Sequence, residues 1–342
     1  MRANMQEWKQ AVIASQKKKP MPILTFPIIQ EMGISVRTLI SDSHTQAQAM
    51  KRLSERNDWL AAVSMMDLSL EAEAFGAEIQ VGDNEVPTVV GSIVSTQEEA
   101  EQLAVPEIGA GRTQIYIDAM KQAVEEITDR PVLAGVIGPF SLAGRLIGVT
   151  AIMKACRKKP EMVHTVMRKC TAFIQSYIGA YRETGANGIV MAEPLTGMLS
   201  PKFAEEFSEP YVREIVECVQ SEDFLVIYHN CGNSTLSMMD SILRVGAGGY
   251  HFGNAIDLSQ AVARCPEDVL CMGNVSPATF AFGSVEEIRA ETLAVLTACC
   301  HAPNFVISSG CDIPPIAKWE NIDAFEETVT DFYRKQVSFA IF

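Results

Sequence analysis

Short apolar runs alternate with amphipathic stretches along nearly the whole chain. The apolar runs are Pro22–Ile28, Leu60–Met65, Pro131–Ile137, Gly188–Ala192, Phe224–Tyr228, Gly249–Phe252, Val269–Met272 and Asn304–Ser308. Most are continuously apolar rather than alternating, which predicts parallel strands buried on both faces. Patterns of helical period follow them, as in Pro160–Glu183, Pro201–Gln220, Thr235–Val245, Leu258–Ala263 and Val285–Ala302. Eight such β/α units predict a closed (β/α)8 TIM barrel of the α/β class. No low-complexity linker divides residues 1–342, so one barrel domain is expected. Residues 1–19 read as an N-terminal helical extension, and residues 78–94 as a small β insertion.

Composition narrows the function. The 342 residues are 48% hydrophobic and 20% charged, enough for a large core. The net charge of −14 makes nucleic acid and anionic membranes poor partners. No apolar run approaches the ~20 residues that span a bilayer, and Met1–Trp8 is too polar for an export signal. Nine cysteines, an odd number, then predict reduced thiols in a cytoplasm.

In a barrel of this kind the reactive groups sit past the C-terminal ends of the strands. Those positions hold Gly138-Pro139-Phe140-Ser141, Glu193-Pro194, His229-Asn230-Cys231-Gly232-Asn233, His251, Gly273-Asn274 and Gly310-Cys311-Asp312. His229 and Cys231 are two apart, so at a strand end they point the same way. With Cys311 they supply one imidazole and two thiolates. That is a donor set for zinc with an open position, rather than for magnesium or calcium. Glu193 is a candidate fourth ligand or acid–base group. Phe140, Asn233, His251 and Asn274 are candidate substrate contacts, His251 alternatively standing behind the ligands. Arg112 and Arg145 are candidate anion clamps. Cys156, Cys170, Cys218, Cys271, Cys299 and Cys300 lie in helical or strand patterns, Cys265 precedes the seventh strand, and all read as structural. Lys17-Lys18-Lys19 reads as a solvated helix end.

Three segments carry a family resemblance over about residues 20–335. They are Gly138-Pro139-Phe140-Ser141-Leu142-Ala143, Ser200-Pro201-Lys202-Phe203-Ala204-Glu205-Glu206-Phe207 with Pro210-Tyr211, and Gly273-Asn274-Val275-Ser276-Pro277. Together they resemble the uroporphyrinogen decarboxylase superfamily, which is built on a (β/α)8 barrel. His229, Cys231 and Cys311 are similar to the zinc motif of its corrinoid-dependent methyltransferase branch. That branch includes the methylcobamide:coenzyme M methyltransferases. The resemblance implies Zn2+ at His229, Cys231 and Cys311. It implies methyl transfer between a methylated corrinoid and a small thiol or related acceptor. The methylcobamide would come from a separate corrinoid-binding protein docking at the C-terminal barrel face, against the 78–94 insertion. Asp42-Ser43-His44 begins a corrinoid-ligating pattern but lacks the glycine that completes it.

Other readings stay open at this point. The transfer could run from a methyl donor onto the corrinoid. The barrel could hold zinc or a thiol without catalysis. A metal-free decarboxylase-like lyase is disfavoured, because the segment after the first predicted strand has no arginine before Arg37 to grip a polycarboxylate.

Overall fold

Seven of the predicted apolar runs become strands of one parallel sheet. The computed structural model describes residues 3–339. In chain order the strands are β1 (Ala62–Val63), β2 (Glu78–Gln80), β3 (Thr88–Val90), β4 (Val132–Ile137), β5 (Gly188–Ala192), β6 (Leu225–Asn230), β7 (Gly249–Phe252), β8 (Leu270–Val275) and β9 (Phe305–Ser309). The large sheet runs β1-β4-β5-β6-β7-β8-β9, every neighbour parallel. The strands from β4 onward are buried along their whole length, as their continuous apolar character requires.

The first predicted strand is a correction. Residues 20–25 pass between β9 and β1 but form no ladder, and Phe26–Ile28 turns into a 3-10 helix. Met21 N–H donates to Ile307 O, Leu60 N–H donates to Pro20 O, and Ile23 N–H reaches the Ser309 hydroxyl. The segment thus stands where the eighth stave would close an α/β barrel. Pro20, Pro22 and Pro27 carry no N–H, so a regular ladder cannot form there.

Alternate residues of the strands fill the barrel. Leu133, Val190, Ala192, Leu225, Ile227, Leu270, Met272 and Val306 pack together inside it, with Met21 and Ile23. Met5 and Val12 of the N-terminal helix Met5–Ala14 join the same cluster, and Trp8 packs on it. This helix therefore closes one end of the barrel. Its N-terminus is capped by Asn4, whose side chain accepts from Gln6 N and Glu7 N. Lys18 is not the solvated end the sequence implied. Its Nζ donates to Val12 O, Ile13 O and Pro303 O, tying the helix end to the loop before β9.

The insertion is the antiparallel hairpin β2–β3, with Ile79 opposite Val89. The predicted helix Pro201–Gln220 is broken into Pro201–Phe207 and Glu209–Val219. Pro210 lacks the N–H that would continue the first helix, and Ser208 adopts a non-helical backbone. Asp42 is the N-cap of the helix Ser43–Arg56 and accepts from Thr45 N–H at 2.7 Å. His44 is exposed on that helix, so the Asp42-Ser43-His44 sequence serves as a cap. Among the described residues no helix is long and apolar enough to cross a membrane.

Candidate metal centre

Leu225, Ile227 and His229 are alternate residues of β6, so the face that carries two core side chains carries His229 into the barrel mouth. Cys231 follows just beyond the strand, and Cys311 lies two residues past β9. One ligand atom from each of His229, Cys231 and Cys311 falls within 4.8 Å of the others. His229 is buried, while both cysteines are partly open to solvent. The Cys311 thiol donates toward Cys231. This hydrogen bond lowers the Cys231 thiol below its ordinary range and, with burial, pushes Cys311 up to about 12.

The proton positions behind His229 follow from counting donors. Ser308 Oγ lies 2.6 Å from Met21 O, which can only accept, so the hydroxyl proton goes there. His251 Nε2, 2.8 Å from the same hydroxyl, must then donate to it. Burial and the neighbouring His229 hold His251 far below its ordinary pKa, so it is neutral and its Nδ1 is an acceptor. His229 Nδ1, at 2.7 Å from His251 Nδ1, is therefore the protonated nitrogen. His229 Nε2 is left with a lone pair. It is enclosed, and no hydrogen bond to it is made by any described residue. A buried polar atom without a partner is costly, and a bare imidazole nitrogen beside two sulfurs is what a soft cation takes. The donor set fits zinc.

Glu193 stands elsewhere. It is fully buried, and its carboxylate caps the helix Pro139–Ile147. Ser141 N–H donates to Oε1 at 2.7 Å, Phe140 N–H to Oε2 at 3.3 Å, Thr196 Oγ1 to Oε2 at 2.9 Å and Ser208 Oγ to Oε2 at 3.3 Å. A carboxylate is stabilised at a helix N-terminus, though burial still raises its pKa. Gly138 makes room for it, since a Cβ there would lie 2.0 Å from Glu193 Cγ. The structure does not bring Glu193 into the His229–Cys231–Cys311 set.

The other candidates divide as sharply. His251 has both ring nitrogens engaged and sits behind His229, leaving none for a substrate. Asn274 donates to Gly253 O at 3.1 Å and Ile256 O at 3.0 Å, fixing the loop after β7. Phe140 is fully buried in the hydrophobic core. Asn233 is exposed on the loop past Cys231. Arg112 is spent on Asp67 and Glu73, both at 2.6 Å, and on Ser69. Arg145, by contrast, has no ion pair or hydrogen bond to any described residue, and its Nε is enclosed. Sequence reasoning did not single out Asp312 or Ser308. Asp312 Oδ1 is enclosed without a donor among the described residues, and burial raises its carboxyl strongly. Its place directly after Cys311 was the available signal.

A family model described as uroporphyrinogen decarboxylase (URO-D) matches residues 25–332. The chain belongs to the uroporphyrinogen decarboxylase family. Within that family it is 26% identical over 302 residues to the methylcobamide:CoM methyltransferase MtbA of Methanosarcina acetivorans, covering 85% of this chain and 86% of the relative. It is 24% identical over 293 residues to a uroporphyrinogen decarboxylase of Neisseria gonorrhoeae, covering 82% and 81%. The solved structure of a methyltransferase from Methanosarcina mazei superposes with a TM-score of 0.86 at 24% identity, over 96% of this chain and 99% of that one. This likeness shows the barrel fold expected from the strand pattern.

Proposed function

We propose that this chain is a corrinoid-dependent methyltransferase. It moves a methyl group between a methylated corrinoid, carried by a separate protein, and the sulfur of a small thiol. The observation that carries the reading is the enclosed lone pair of His229 Nε2 beside Cys231 and Cys311 at the barrel mouth. Relatives named as methylcobamide:CoM methyltransferases support it.

His229 Nε2, Cys231 Sγ and Cys311 Sγ would hold zinc, which supplies the charge that ionises a thiol at neutral pH and leaves it nucleophilic. Among the described residues no fourth group joins this set, as in zinc sites that leave a position for substrate. Around it the chain's own groups perform three tasks. His251 and Ser308 fix the tautomer and ring plane of His229. Glu193 locks the helix Pro139–Ile147 to the loop after β5, which braces the mouth. The apolar barrel interior beneath His229 excludes water from one side of the site. In the reaction the sulfur takes the methyl group and the thiol proton leaves to solvent. The carbon–cobalt bonding pair stays with the corrinoid substrate. The corrinoid-carrying partner meets the chain at the C-terminal face, where Cys231 and Cys311 are partly open to solvent. All nine cysteines are free, which supports work in a reducing cytoplasm.

The test is elemental analysis of the purified chain and of Cys311→Ala, followed by methyl transfer from free methylcobalamin to thiols. About one zinc per chain, lost in the variant, with thiol methylation that follows the metal, is expected. Failure to take up zinc under reducing conditions overturns the reading.

A further inference from the structure

Cys231 and Gly253 meet just past the end of the β6–β7 ladder. In that ladder His229 pairs with His251 and Asn230 with Phe252, so the same register sets Cys231 opposite Gly253. Positions two apart on a strand share a face, so residue 253 looks to the side that carries Cys231. Neighbouring strands run about 4.8 Å apart. Here a Cβ on Gly253 would lie 2.4 Å from Cys231 Cβ and 3.0 Å from Cys231 Cα. The two segments have converged well inside the usual spacing. The φ of Gly253 lies outside the left-handed region, so it is space, not backbone conformation, that excludes a side chain.

The same position looks toward the second sulfur. The next atom that a Cβ on Gly253 would meet is Gly310 O, at 3.4 Å, on the residue before Cys311. Gly253 thus stands between the loop that carries Cys231 and the loop that carries Cys311, whose ligand atoms lie within 4.8 Å of each other. Hydrogen bonds hold it there. Its N–H donates to Asn230 O at 3.2 Å. The Asn274 amide donates to its carbonyl at 3.1 Å and to Ile256 O at 3.0 Å. The Cys231 backbone is held as well, since a Cβ on Gly197 would lie 2.0 Å from its carbonyl oxygen. With both backbones fixed, a side chain at 253 would displace the movable part, the Cys231 side chain and its sulfur.

We propose that Gly253 is a positioning residue of the metal centre. Its missing side chain lets Cys231 close toward Cys311, so it sets the separation at which the two sulfurs share one ion. The Asn274 amide acts through it, by gripping the Gly253 carbonyl. This rests on the proposed zinc site and adds to it a determinant that is not a ligand.

The experiment measures zinc affinity by chelator competition, and sulfur-to-metal charge-transfer absorbance after cobalt substitution, in the native chain, Gly253→Ala, Asn274→Ala and Gly249→Ala. Gly249 is the packing control on β7, because a Cβ there would press on Ile227 Cγ1 at 3.2 Å and Leu270 Cβ at 3.5 Å in the barrel core. Gly253→Ala should bind zinc about 10–100-fold more weakly, the range for groups that orient a metal ligand. Its cobalt charge-transfer band should weaken as one sulfur withdraws. Asn274→Ala should lose affinity in the same direction, and it carries the test if Gly253→Ala does not fold. Gly249→Ala should lower the thermal midpoint and leave both metal readouts unchanged. Native zinc affinity with a native cobalt spectrum in Gly253→Ala, or in Asn274→Ala where that variant carries the test, would overturn the inference and leave the methyltransferase reading intact. An equal loss in Gly249→Ala would also overturn it, because any strain in the strand would then suffice. A native chain that takes up neither zinc nor cobalt under reducing conditions would overturn both.

Discussion

The Nδ1 atoms of His229 and His251 lie 2.7 Å apart, and only one of them can carry the proton. The register of β6 and β7 makes this meeting unavoidable, because His229 and His251 are paired Cα partners across two parallel strands. Ser308, on β9, then decides the direction by accepting from His251 Nε2. Outer partners of this kind set the tautomer and basicity of a ligating imidazole. His251→Ala should weaken zinc binding by about 10–100-fold, measured by competition with a chromophoric chelator. His251→Gln, whose amide oxygen can accept from His229, should recover part of the loss. Unchanged affinity in His251→Ala would refute the proton assignment.

Glu193 gives the opposite expectation. Four donors converge on its carboxylate, and none of them belongs to the metal set. Glu193→Gln places an amide N–H2 against some of those donors. Stability should fall by about 1–3 kcal/mol, the cost of leaving buried donors unpaired. Zinc stoichiometry should not change. Urea unfolding together with elemental analysis checks both halves, and loss of metal with unchanged stability would make Glu193 a ligand after all.

Gly138 supports the same arrangement from the other side. Its φ of −80° is open to any residue, so only space forbids a side chain. In Gly138→Ala the new methyl would overlap Glu193 Cγ and Oε1. The carboxylate would have to leave the helix N-terminus. Overpacking of this sort costs about 1–3 kcal/mol, and the lost helix-capping hydrogen bonds add to it. The thermal midpoint should fall further in Gly138→Ala than in Glu193→Gln, and removing the carboxylate in the double variant Gly138→Ala/Glu193→Ala should relieve part of the strain.

The strands from β4 onward were legible because each is buried on both faces, and doubly buried strands leave an unbroken apolar signature. Residues 20–25 share that signature, yet their prolines deny them a ladder. Side-chain pattern reports burial, whereas hydrogen bonding depends on the backbone donors. The meeting of His229, Cys231 and Cys311 was also legible, since barrel topology sends all strand ends to one rim. What each neighbour does was not. The direction of the Glu193 carboxylate depends on the missing Cβ of Gly138. The duty of His251 depends on strand register and on a serine two strands away. The fates of Arg112 and Arg145 depend on which carboxylates the fold brings near. Asp67 and Glu73 reach Arg112, and none of the described residues reaches Arg145.

Glu71 should leave a signature in the pH dependence of stability. It is 1% exposed, and its Oε1 accepts from Ile137 N–H while Oε2 has no donor among the described residues. Burial, reinforced by Asp67, pushes its carboxyl up to about 8 from an unfolded value of 4.5. The folded chain therefore keeps a proton that the unfolded chain has released between these limits. A raised folded pKa means that its contribution is fully present below pH 4.5 and is lost as pH rises through 8. The slope from this one group is at most about 1.4 kcal/mol per pH unit, and it flattens above pH 8 where both states are ionised. In Glu71→Gln the side-chain oxygen still accepts from Ile137, and the titration is gone. The variant should match the native chain near pH 5 and exceed it in stability near pH 8. Denaturant midpoints across pH 5–9 would show this as two curves that diverge upward in pH. Parallel curves would mean that Glu71 finds a donor for Oε2 in solution and ionises at its ordinary value.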